Sequence, residues 1–171
     1  MRKRMLGTLL VASAVAVTVS VRAQDAAQMA HAAAATSTFV NMPGLPECMS
    51  IAVQRGDPAK GPSVLLLKFK PGCVVPWHWH TANEQLMMVS GSAKAEMKDG
   101  EPLSMKPGDF LYLPAKGIHQ FTATTNVLVF DLSDGAFDIH YVDASGAEIP
   151  PDKAVKPAIK KAPATPKAKK Q

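Results

Sequence analysis

The sequence predicts an all-β domain of barrel or sandwich type. Three observations carry that expectation. Between residues 39 and 149 no apolar stripe recurs at helical spacing. Short apolar or alternating runs appear there instead, at intervals of roughly ten residues. Glycine, proline and aspartate clusters separate them, the residues that reverse a chain.

The runs follow one another in this order. Residues 50–54 precede Arg55-Gly56-Asp57-Pro58, and residues 64–70 precede Pro71-Gly72. A strand through His78-Trp79-His80 comes next, then residues 84–90 closed by Gly91. Residues 93–97 end at Lys98-Asp99-Gly100, a hairpin-type turn. Residues 103–105 lead to Pro107-Gly108-Asp109, and residues 110–113 lead to Pro114. Residues 118–123, 127–132 and 137–142 complete the set. A stretch of about 110 residues is enough for one hydrophobic core.

The 171-residue chain is 47% hydrophobic and 19% charged, ordinary globular usage that argues against wholesale disorder. Its formal charge of +5 suggests a nucleic-acid binder until the charges are located. Residues 24–151 hold only 8 of the 19 basic residues but 13 of the 14 acidic ones. The middle is therefore acidic, and nucleic acid is not an expected partner. The basic residues lie at the two ends. Arg2-Lys3-Arg4 and an uncharged stretch through Val21 precede Val21-Arg22-Ala23. Residues 1–23 read as a secretory signal cleaved after Ala23, so the chain is expected to be exported, periplasmic or secreted. Residues 24–38 are an Ala-rich linker, residues 39–149 the barrel, and residues 150–171 a disordered Lys/Pro/Ala tail. The tail is suited to anionic envelope surfaces or to solubility alone. Export permits a disulfide between Cys48 and Cys73; two buried thiols are the alternative.

His78 and His80 are two apart, so on a strand their imidazoles share one face. Glu84 follows at the start of the next run, and His119 opens a later one. Three imidazoles and a carboxylate suit a borderline divalent metal. Five residues separate Gly72 from His78, one separates His78 from His80, three lead to Glu84 and six to Gly91. This pattern resembles the first motif of the cupin family. The segment from Gly108 through Pro114 to His119 resembles the second. It departs in two places: the glycine after the proline comes one place late, at Gly117, and Ala123 stands where the family has asparagine. The resemblance covers roughly residues 60–132 and is to the small single-domain (type 2) cupins, with an RmlC-like jelly-roll barrel.

The resemblance implies a metal (Fe, Mn, Ni, Cu or Zn) held by His78, His80, Glu84 and His119, with positions left open for a small-molecule ligand. Glu84 doubles as a candidate base. A metal-dependent, dioxygenase-like oxidoreductase acting on a small organic molecule is the leading expectation. A non-enzymatic metal or ligand sensor, and a redox-inert isomerase or hydrolase, are the alternatives. Met87, Met97, Met105, Phe110, Tyr112, Phe121 and Phe130 are candidates for an apolar pocket lining. His140 is expected at a surface or interface. The C-terminal strand is a candidate homodimer face.

Overall fold

The computed structural model describes residues 30–155. Ten strands form in chain order: β1 (Met49–Gly56), β2 (Ser63–Phe69), β3 (Val74–Trp79), β4 (Glu84–Ser90), β5 (Ala93–Met97), β6 (Leu103–Met105), β7 (Phe110–Leu113), β8 (His119–Ala123), β9 (Val127–Ser133) and β10 (His140–Tyr141). A single turn of helix, α1 (Pro151–Ala154), follows. The strands make two antiparallel five-stranded sheets, in the orders β1-β2-β9-β4-β7 and β10-β3-β8-β5-β6. Apart from the consecutive pairs β1–β2 and β5–β6, neighbours in these orders are distant in sequence, as a jelly roll requires.

Alternation decides which face of each strand enters the core. In β2, Leu65, Leu67 and Phe69 point inward, and Val127 and Val129 of β9 and Leu86 and Met88 of β4 meet them. The opposite sheet supplies Val75, Ala95 and Phe121, and Phe69 packs on Phe121 across the interior with ring centroids 5.1 Å apart. Cys48, just before β1, and Cys73, just before β3, form a disulfide with Cα atoms 5.5 Å apart. It ties an edge strand of one sheet to the other sheet. Of the two readings of these cysteines, the paired one is present.

Alternation also corrects the expected pocket lining. Met87, Phe110 and Tyr112 are on the outward parity of β4 and β7 and are exposed. Phe130 is half-buried on the outward parity of β9. Met105 lies in the core and Met97 packs against it. Only Phe121 of the seven borders the interior cavity. For Met87, Phe110, Tyr112 and Phe130 the difference is one of face, since a single apolar strand residue does not declare its side.

The C-terminal run also differs from expectation. Only His140 and Tyr141 pair as strand, against Trp79 and His78. The preceding residues leave the ladder because Phe137 bonds back to the Pro58 carbonyl and packs, with Ile139, against the core. Ordered chain continues past the expected boundary at residue 149. Pro151 sits in the first turn of α1, where its missing N–H costs nothing, and Ala154 and Val155 pack against the core. The signal segment 1–23, its cleavage after Ala23 and residues 156–171 of the tail lie outside the described residues.

Candidate metal centre

Three strands deliver the site. His78 lies near the end of β3 and pairs directly with His119, the first residue of the neighbouring β8. His80 follows β3 by one residue, and Glu84 opens β4 in the facing sheet. A register shift between Val75 and His78 re-aims the end of β3. One ring nitrogen from each of His78, His80 and His119 falls within 4.8 Å of the other two, and all three residues are buried. Glu84 borders this cluster: its Oε2 is 3.2 Å from His80 Nε2 and 3.6 Å from His119 Nε2.

The outer nitrogens explain how the rings are held. His78 Nδ1 donates to the Pro76 carbonyl at 2.6 Å, and His119 Nδ1 donates to the Gly117 carbonyl at 2.9 Å. His80 Nδ1 donates to the Asp138 carbonyl. A carbonyl can only accept, so each Nδ1 carries the proton and each Nε2 presents a lone pair inward. His80 Nε2 is buried with no hydrogen-bond partner. An orphaned acceptor of this kind beside a carboxylate oxygen is a poor arrangement unless a cation or proton lies between them. A carbonyl on the distal ring nitrogen is the usual support for a metal-binding histidine. The residues therefore fit a divalent ion.

Burial dominates the titration of the centre. It lowers His78 well below the usual imidazole range, and the neighbouring His119 and His80 add to the effect. Burial lowers His80 to about 4 and also lowers His119. The imidazoles are thus neutral near pH 7, the form that binds metal. Burial raises Glu84 to about 7, offset in part by a hydrogen bond from Asp131.

Asp131 was not among the candidates read from the sequence. It is 2% exposed, lies on the central strand β9 and shares a hydrogen bond with Glu84. Burial, and then the Glu84 charge, hold its carboxyl well above the ordinary range. Its Oδ1 has no partner. A signal existed: Val127, Val129, Asp131 and Ser133 share one parity, so an inward strand face carries an acid at its third position. His140, by contrast, stacks on Trp79 outside the cluster, with centroids 3.8 Å apart. The cavity beside the histidines has a volume of about 50 Å³, and Leu67, Val75, Leu113, Val129 and Phe137 are among its walls.

Residues 65–132 match the family model of the Cupin domain. DNA damage-repair/toleration protein DRT102 of Arabidopsis thaliana is 29% identical over 79 residues, which are 46% of this chain and 26% of that protein. The chain thus spans about a quarter of that relative's length. Among solved structures, the polyketide cyclase RemF of Streptomyces resistomycificus superimposes with a TM-score of 0.57 at 17% identity, over 68% of this chain and 87% of that one. An RmlC-like cupin protein of Ralstonia eutropha superimposes with a TM-score of 0.56 at 20% identity, over 68% and 74%. Identities this low speak to fold, and the fold agrees with the matched family and with the triad of buried histidines. Residues 65–132 thus carry the match to the Cupin domain, and the fold around them is that of the RmlC-like cupin structures.

Proposed function

We propose that this cupin holds one divalent transition metal on His78, His80, His119 and Glu84 and acts on a small organic molecule as a metal-dependent, dioxygenase-like oxidoreductase. One observation carries the reading: three buried imidazoles, each fixed by a main-chain carbonyl, turn their free Nε2 atoms to one point. A bound redox-active ion would supply electron transfer and Lewis acidity. The chain's own residues do the rest. The carbonyls of Pro76, Gly117 and Asp138 keep the rings in the binding tautomer. The apolar walls exclude water and favour a small, largely apolar ligand. Glu84 is placed to hold a proton at Oε2.

Elemental analysis of purified protein tests the centre, with His78→Ala as control. About one metal per chain is expected in the wild type and little in the variant; equal metal in both would refute the assignment. Oxygen uptake with a panel of small diols and thiols, after loading iron, copper or manganese in turn, tests the reaction class. A second reading has its own support in the Glu84–Asp131 pair. Two hydrogen-bonded carboxyl groups beside a metal suit proton transfer without redox, as in an isomerase or hydrolase. Turnover that survives with zinc and without oxygen would select it.

Export is supported by the Cys48–Cys73 disulfide, since such bonds persist in oxidising compartments. A homodimer is supported on a different face from the one expected. Met87 and Phe110 pair across β4 and β7, and Val89 and Tyr112 extend the exposed apolar strip. Phe110→Asp is expected to shift a dimer to monomer in sedimentation; a wild-type chain that is already monomeric would remove the proposal.

A further inference from the structure

Three segments surround the metal centre. The turn of residues 80–83 joins His80 to Glu84. The loop of residues 114–118 leads into His119 and supplies the Gly117 carbonyl. The loop of residues 134–139 supplies the Asp138 carbonyl that holds His80. None of the three is regular structure, so the ladders of the two sheets do not set their spacing.

Asn83 touches all three. Its backbone N–H and its Nδ2 both donate to the Asp134 carboxylate, at 2.9 and 2.6 Å. Its Oδ1 accepts from the Tyr112 hydroxyl at 2.9 Å and from the Ala115 N–H at 2.8 Å. One amide thus joins the first turn to β7, to the loop that feeds His119 and to the loop that anchors His80. Bonds beyond its reach complete the ring: the Lys116 N–H donates to the His80 carbonyl at 2.9 Å, and the Thr81 N–H donates to the Asp138 carboxylate at 2.8 Å.

We infer that Asn83 is a positioning residue for the metal centre, the knot that holds these three segments at the spacing that makes the imidazoles converge. The inference rests on the proposed metal-binding reading for its purpose and on the hydrogen bonds alone for its mechanics. The amide is suited to the task in a way that a carboxylate is not. It donates to Asp134 through one atom and accepts twice through the other, and an aspartate at the same place would set two carboxylates face to face.

The test uses the full chain and cobalt(II) as the probe ion. Asn83→Ala and Asn83→Asp are each expected to weaken cobalt(II) binding about tenfold or more and to alter its visible absorption bands. Adding Asp134→Asn to Asn83→Asp restores a donor between the two side chains, and the double variant is expected to regain affinity to within about threefold of wild type together with the original spectrum. A residue that only stabilised the fold would not return the spectrum this way. Amide hydrogen exchange on the metal-free protein gives an independent readout. Asn83→Ala should accelerate exchange at Thr81 and Lys116, whose amides do not bond Asn83. Unchanged cobalt(II) affinity and spectrum in Asn83→Ala would overturn the inference, as would unchanged exchange at those two amides. If the wild type takes up no cobalt(II), the metal reading fails, and the exchange experiment still decides whether Asn83 couples the segments.

Discussion

His80 shows how burial writes pH dependence into a single side chain. Its folded pKa is about 4, below the unfolded value of 6.5. Between those two values the unfolded chain binds more protons, so stability rises with pH across that window. The His80 contribution is fully present above pH 6.5 and is lost as pH falls through 4; a displacement of this size corresponds to about 3 kcal/mol. Glu84 acts in the opposite sense. Its folded pKa of about 7 exceeds the ordinary 4.5, so it favours the folded state at low pH and loses that contribution as pH rises through 7. Urea titrations of metal-free protein at pH 5 and pH 7 should therefore show partial cancellation. Glu84→Gln should steepen the acid loss, and His80→Gln should flatten it. The motif residues were legible because His-x-His and its spacing to Glu84 are sequence-local. Asp131 was not, since a lone acid in an apolar run is recognised only once strand parity is assigned. The carbonyls of Pro76, Gly117 and Asp138 were invisible, because a main-chain acceptor leaves no mark on residue type.

At the scale of elements, most of the strands are where turn residues and alternation put them. Residues 84–90, 93–97, 103–105 and 110–113 coincide with β4, β5, β6 and β7. The last strand shrank because tertiary contacts of Phe137 and Ile139 overrode local pattern. The motif glycines have separate physical reasons. Gly72 has φ of +76° and open space around a would-be Cβ, so Gly72→Ala should cost about 1–2 kcal/mol. Gly91 has φ of +83°, and an added Cβ would come within 2.0 Å of the Asn126 carbonyl oxygen, so Gly91→Ala should cost clearly more. Equal losses in chemical denaturation would contradict this distinction. The late glycine of the second motif also finds its explanation here. The left-handed position after Pro114 is residue 116, where Lys116 adopts φ of +64°. Its ammonium lies 3.3 Å from the Trp79 ring centre, a cation–π contact that offsets part of the backbone cost.

For the whole molecule, the disulfide adds a covalent cross-link between the two sheets to the main-chain connections. It closes a loop of 25 residues, for which loop entropy gives about 3.5 kcal/mol of stabilisation. Reduction, or Cys48→Ser with Cys73→Ser, should lower unfolding free energy by that order; a loss under about 1 kcal/mol would argue that strain or unfolded-state structure cancels it. Barrel architecture was legible from run length and turn spacing. Which sheet face stays uncovered was not, because it depends on parity in two strands at once, β4 and β7.

The support for the three imidazoles comes from peptide oxygens and not from side chains. No single substitution can delete such an acceptor, because every amino acid carries one. Away from the Asn83 contacts, sequences along this backbone path can drift and still keep each ring's proton on the distal side. Adapting the pocket to a new ligand is correspondingly cheap, since the walls can change while the ring orientation is inherited from the course of the chain.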